Sequence, residues 1–152
     1  MSNKNNIGLF QAGPYVIGNG LSGGYTFKLQ FVVDVVRKTV HGAGNITQAT
    51  NPPVNVATNI NGEYSPLLGT YQILVNAEGF NPFIPIVPQQ KNVTLQLFLD
   101  KDWKSGVANY SFYNGKEWIR LRNQKVELVA PENLEQLASA VAAQEEELEP
   151  VN

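Results

Sequence analysis

The 152-residue chain reads as an all-β protein, an antiparallel meander closed as a barrel or stacked as a sandwich, followed by one C-terminal amphipathic α-helix. Three observations predict this. Apolar residues alternate with a period of two through most of residues 1–130, the mark of half-buried strands. Turn residues, among 13 Gly and 9 Pro, punctuate the alternation at short intervals. At Pro131 the period changes to the helical one. The expected division is a β domain over 1–130 and an acidic helix over 131–152, packed on that domain or extending from it.

The first clear strand is Tyr25 to Val36, with Tyr25, Phe27, Leu29, Phe31, Val33 and Val35 on one face. Arg37-Lys38-Thr39 is its turn, and a second strand runs from Val40 to about Gln48 before Pro52-Pro53 interrupts it. Val54 to Asn61 alternates again, and Tyr71 to Asn76 is a further strand. Between it and Val93 to Leu99, Pro82, Pro85 and Pro88 recur around apolar residues. Each proline removes a ladder donor, so this stretch is expected to be a buried edge segment, not a central strand.

Asn114-Gly115 between two alternating runs predicts a two-residue hairpin turn with both residues at positive φ. That turn pairs Tyr113 with Lys116, Phe112 with Glu117, Ser111 with Trp118 and Tyr110 with Ile119. Tyr110, Phe112, Ile119 and Leu121 then face the core, and Lys116, Trp118, Arg120 and Arg122 face outward. After Pro131, Leu134, Leu137, Ala138 and Val141 recur at helical spacing to about Leu148, with Glu132 and Glu135 at the positive end of the helix dipole. Such a chain must hide its sheet edges, which a barrel or a sandwich does. The meander and the terminal helix resemble small calycin-type barrels, although the tryptophan that family carries near its first strand is absent.

Composition removes several function classes. With no Cys and one His, disulfides, thiolate metal sites, Cys nucleophiles and nearly every metal or triad arrangement are excluded. No cofactor and no metal are expected. All eleven Lys and Arg lie in residues 1–130 beside seven acids, leaving that body at +4, while the last 22 residues hold six Glu and no base. A body so weakly basic gives no reason to expect nucleic acid as a partner. Met1 to Asn6 is not a secretory signal, so the expectation is cytoplasmic synthesis, with release or export by a signal-independent route.

The chemical motifs are weak ones. Gly18-Asn19-Gly20-Leu21-Ser22-Gly23 spells G-x-G-x-x-G, but a strand follows it where dinucleotide binding needs a helix N-terminus. His41 is out of phase with the apolar positions. Asp34 is expected across the hairpin from it, yet no activated serine completes a triad. Asp100 and Asp102 flank a turn, where acids are ordinary. No catalytic residue is identified.

Two stretches are binding candidates. Lys116, Trp118, Arg120 and Arg122 form a basic ladder with one aromatic, fit for phosphate, sulfated sugar or lipid headgroups. The acidic helix is expected to dock on it in cis. Gly42 to Gly62 carries no charged residue and alternates around a tip of Thr50, Asn51, Pro52 and Pro53. Uncharged amphipathic hairpins of this kind are what a β-pore-forming protein inserts into lipid.

The run Gly42-Ala43-Gly44-Asn45-Ile46-Thr47-Gln48-Ala49-Thr50-Asn51-Pro52-Pro53, with Ile7-Gly8-Leu9-Phe10 and Val33-Asp34, resembles a bacterial family known only as a domain of unknown function, over residues 7 to about 125. The resemblance implies a short helical segment after the β domain, similar to 131–148, and implies no activity. The expected function is therefore that of a non-enzymatic binding protein. Its most specific form is a host-directed, insecticidal-type toxin acting on a membrane or cell-surface receptor. The alternative is a carrier of a small apolar ligand in a barrel interior lined by Phe27, Leu29, Phe31, Leu95 and Leu97.

Overall fold

The structure is a computed structural model that describes residues 8–20, 23–50, 53–67, 69, 72–83, 90–129 and 141–143. Eight strands follow one another around a closed barrel: β1 (Leu9–Ile17), β2 (Thr26–Asp34), β3 (Thr39–Gln48), β4 (Val54–Leu67), β5 (Gln72–Phe80), β6 (Lys91–Asp100), β7 (Ser105–Tyr113) and β8 (Trp118–Leu128). Each is antiparallel to the next, and β8 returns to pair with β1, so the architecture is a barrel and not a sandwich. The closing seam is short. It joins Tyr15–Ile17 to Val126–Leu128, prolonged by Val129 N–H donating to the Pro14 carbonyl at 2.8 Å and Gly18 N–H to that of Lys125 at 2.9 Å.

Alternation decides which side chains point in. On β2, Phe27, Leu29, Phe31 and Val33 are buried while Lys28, Gln30 and Val32 are exposed; on β6, Val93, Leu95, Leu97 and Leu99 are buried and Gln96 is exposed. Apolar-in and polar-out is the inverse of the pattern a lipid-embedded barrel presents. An eight-stranded barrel has an interior just wide enough for side chains to fill. Large residues on one strand therefore need small ones opposite. Gly42 meets that need on β3: a Cβ there would fall on the Gln30 carbonyl oxygen and 2.5 Å from the Phe31 Cα.

Two groups of rings fill the interior, one toward each end. Tyr15 stacks on Phe31 at 5.6 Å, and Trp103 meets Phe31 at 6.4 Å and Tyr64 edge-on at 5.5 Å. Toward the other end, Phe27 packs on Tyr110 at 5.1 Å, and Tyr25 meets Phe112 edge-on at 5.1 Å. Trp103 closes the first end from the β6–β7 turn. It is wholly buried at a φ of 63°, its N–H donates to the Asp100 carbonyl, and its own carbonyl accepts from the Tyr15 hydroxyl at 2.7 Å. The loops β1–β2, β3–β4, β5–β6 and β7–β8 all lie at the second end.

Several expectations need correction. β1 carries Pro14 in mid-strand, which hides it from pattern reading; the ladder accommodates the proline at a register shift between Ala12 and Tyr15. The Asn114-Gly115 turn is a four-residue loop, so Tyr113 pairs with Trp118, Phe112 with Ile119 and Ser111 with Arg120. Asn114 explains the change, because its Oδ1 accepts from the N–H groups of Lys116 at 2.8 Å and Glu117 at 2.9 Å, leaving positive φ to Gly115 alone. A slip of two residues keeps the same faces in and out. Phe83, at the start of the proline-rich loop, is exposed, not buried; residues 84–89 lie outside the described residues. Of the helix expected over 131–148, only 141–143 are described. They are helical, and Val141 is buried in the core cluster; the rest of the expected helix, and with it the expected docking on the basic ladder, lies outside the described residues. No helix among the described residues is long and apolar enough to cross a membrane.

Candidate functional site

At the second end β4 outruns β5. The β4–β5 register stops at Asn59 opposite Phe80, whereas β4 stays paired with β3 out to Val54 opposite Gln48. Val54–Thr58 thus have a strand on one side only. Asn92 fills part of that gap. It sits at an irregularity of β6, where Gly79 pairs with Val93 but Phe80 with Lys91, and so turns inward beside Val93. Its Nδ2 donates to the Ala57 carbonyl at 2.9 Å, and its Oδ1 accepts from the buried Thr58 hydroxyl at 2.7 Å. Every hydrogen-bonding atom of this pair that is drawn inward meets a partner, which keeps the site rigid.

The rest of the gap is a groove of about 620 Å³. Asn55 and Ala57 of β4 form one wall, Asn81, Phe83, Gln90 and Lys91 its base, and Tyr113, Asn114 and Trp118 the far wall. Its three rings are turned to solvent, Phe83 79% exposed, Trp118 46% and Tyr113 40%. Tyr113 and Trp118 are cross-strand partners with centroids 6.0 Å apart and planes at 49°. Lys91, the one charged lining residue among the described residues, is paired with Glu78 at 3.2 Å, so the groove is close to neutral.

Trp118 also borders a second depression, on the outer face of the sheet, of about 550 Å³ with Lys91, Thr94, Ser111 and Arg120. One register row assembles it: Glu78 beside Thr94, Thr94 beside Ser111, Ser111 beside Arg120. The Thr94 and Ser111 hydroxyls bond at 2.5 Å. Arg120 continues into a third depression of about 690 Å³ with Gln96, Asn109 and Arg122. Neither arginine makes an ion pair among the described residues.

The binding candidates from the sequence separate on this surface. Trp118 lies where the groove and the outer face meet, and Arg120 and Arg122 stand on the outer face alone. Lys116 is exposed in the β7–β8 loop. Thr50 and Pro53 are exposed in the β3–β4 loop and do not line the groove; Asn51 and Pro52 lie outside the described residues. Pattern reading missed Asn55, Asn81, Phe83, Gln90 and Tyr113. They are brought together by the overrun of β4 and the irregularity of β6, neither of which leaves a periodic signal.

The motifs set aside on chemical grounds fall elsewhere. His41 is exposed on β3 and its Nδ1 bonds the Asn61 Oδ1 at 2.7 Å. Asp34 is not across from it: Val32 is, while Asp34 pairs with Thr39 and receives the Arg37 N–H at 3.1 Å. The G-x-G-x-x-G stretch leads into strand β2, and its Asn19 accepts from Lys125 N–H at 3.1 Å. Burial, then the Asp34 charge, pushes the Tyr64 phenol up to about 12. Burial also raises Tyr15, with a smaller push from Asp102, and Tyr110, with one from Tyr25. Among the described residues no group of His, Asp and Glu is placed to hold a metal ion.

Fold and site together define a small up-and-down β-barrel with an apolar core, plugged at one end and carrying a ring-lined groove at the other. The chain belongs to the family described as Domain of unknown function (DUF1842), whose model matches residues 7–118. The match ends at Trp118, the first residue of β8, and short of the expected 125, so the closing strand lies almost wholly beyond it. No curated protein matches the chain.

Proposed function

We propose that this protein is a non-enzymatic binding module whose ligand surface is the rim around Trp118. One observation carries the reading: Trp118 and Tyr113, two large rings outside the core, form the wall of a groove at the end where Trp103 does not plug the barrel. Partly exposed rings that pack on each other offer ready apolar contact area beside polar anchors, the usual make-up of a ligand site. Among the described residues the groove presents amides and ring faces and no paired nucleophile and base, which favours binding over bond-breaking.

The carrier alternative gains less support, because Phe27, Leu29, Phe31, Leu95 and Leu97 are all buried members of one core cluster. A host-directed toxin is the most specific form of the reading, its ligand then being a receptor on a target cell. Insertion of the β3–β4 hairpin into lipid is less favoured, since both arms are paired within the closed barrel and their ladders to β2 and β5 would have to break first.

The test is binding to insect midgut cells and to a ligand panel, with wild type, Trp118→Ala and His41→Ala. Saturable binding lost in Trp118→Ala and kept in His41→Ala is the expected result. Binding untouched by Trp118→Ala, or a lipid that co-purifies inside the barrel by native mass spectrometry, overturns it.

A further inference from the structure

We infer that the groove at the second end takes a neutral carbohydrate, Trp118 and Tyr113 supplying the platform for a sugar ring; this rests on the reading of the Trp118 rim as the ligand surface. Three features of the lining point to that chemistry. The first is charge. Lys91 is offset by Glu78 at 3.2 Å, so the groove holds no surplus charge to attract an anion or a cation.

The second is the kind of polar group. Asn55, Asn81 and Gln90 are side-chain amides, each with a donor and an acceptor on one planar head; Asn55 Oδ1 already accepts from Asn45 Nδ2 and Asn81 Oδ1 from the Phe83 N–H at 2.9 Å, which orients both heads and leaves each oxygen one further lone pair. Vicinal hydroxyls also donate and accept from neighbouring atoms, so a single amide can engage both. Ionised side chains offer one sense only, and their desolvation costs more. The third is the exposed rings. A pyranose has one face of C–H bonds, slightly positive, that suits the negative face of an indole or phenol. Peptide or lipid ligands would favour a longer apolar trough, and among the described residues amides interrupt this one.

The groove is also prepared in advance. Asn92 is locked by Thr58 and Ala57, and Asn114 by the two N–H groups of its own loop. Little side-chain freedom remains to be lost on binding at those positions. At about 620 Å³ the groove falls within the range of small-ligand sites, roughly 300–1,000 Å³, and accommodates a short oligosaccharide. The outer face with Arg120 and Arg122 has the opposite character and would select an anionic ligand through salt-dependent attraction.

The experiment titrates the full chain against neutral gluco-, manno-, galacto- and N-acetylglucosamine oligosaccharides, and against sulfated and uronic ones, at low and high salt. The Trp103→Phe background leaves Trp118 as the sole indole reporter, since the chain has two tryptophans. Expected are saturable binding of at least one neutral series, a change in Trp118 fluorescence, and insensitivity to salt. Trp118→Ala should weaken binding by about tenfold or more, which is about 1.4 kcal/mol; Trp118→Phe should restore most of it and His41→Ala change nothing. Binding confined to sulfated or uronic sugars, lost at high salt and in Arg120→Ala/Arg122→Ala, overturns the neutral-sugar inference and leaves the Trp118 rim standing as a ligand surface. A different class of ligand that perturbs Trp118 while no sugar does has the same consequence. Neutral-sugar binding that survives Trp118→Ala overturns the placement of the site and the proposed rim together.

Discussion

Trp103 offers the sharpest check on how the barrel is held shut. Replacing a buried tryptophan with alanine typically costs about 3–5 kcal/mol through lost burial and the cavity left behind. Here the indole Nε1 is buried with no hydrogen-bond partner among the described residues, and such an orphan donor itself costs about 1–3 kcal/mol. Removing it returns part of the loss, so Trp103→Ala is expected to cost about 2–4 kcal/mol. Trp103→Phe keeps ring contact with Phe31 and Tyr64 and removes the orphan, and should stay within about 1 kcal/mol of wild type. The φ of 63° adds a third comparison. Alanine bears the left-handed penalty of about 1–2 kcal/mol and glycine does not, so Trp103→Gly should be no less stable than Trp103→Ala. Urea unfolding followed by circular dichroism at constant m gives all three values. If Trp103→Phe falls as far as Trp103→Ala, the indole N–H has a partner and the reasoning fails. If Trp103→Ala is neutral, the side chain is no plug.

Other expectations follow from single contacts. Gly42→Ala drives a Cβ into the β2 backbone at Gln30 and Phe31, where no side chain can swing aside, and should lower stability by about 1–3 kcal/mol in the same urea assay. Asn92→Ala strips the buried Thr58 hydroxyl of its acceptor and the Ala57 carbonyl of its donor, with an expected loss of about 2–3 kcal/mol and weaker ligand binding in the groove beside it. Tyr64 keeps its proton in the folded state up to about 12 but releases it near 10 when unfolded. Its contribution is therefore complete below pH 10 and lost as pH rises toward 12; urea midpoints across that range should fall less steeply in Tyr64→Phe.

What was legible in the sequence was whatever alternation encodes. β2 and β6 could be read residue by residue, because each is buried on one face and solvated on the other. The β3–β4 hairpin was legible from the neutral alternating arms and the prolines at its tip. β1 was not, because Pro14 imitates a strand breaker unless the ladder is known to shift there. The β7–β8 turn was misjudged for a related reason: Asn114 acts through its side chain, bonding the two N–H groups ahead of it, whereas its dipeptide suggests a backbone preference. Closure itself depends on Tyr15–Ile17 meeting Val126–Leu128, a pairing between opposite ends of the chain that no local pattern announces. The site suffered most. Trp118 stood out as an aromatic among bases, but its groove partners come from a strand overrun and an inward-turned Asn92, both properties of register.

Register also explains why the two ends of this barrel cannot serve the same purpose. At the first end the turns are short, and Trp103 and Tyr64 close the interior as the Tyr15 hydroxyl fixes the Trp103 backbone. A ligand entering there would have to displace buried rings, each contributing about 1.5–3 kcal/mol of burial. At the second end, Tyr25 packs edge-on against the buried Phe112, and the Thr58–Asn92 pair is buried, while Phe83, Tyr113 and Trp118 stay exposed. Trp118 is about half exposed, packs on Tyr113 and is not part of the buried core cluster, so its loss should leave folding almost intact, and a defect of Trp118→Ala in binding reports on the ligand surface.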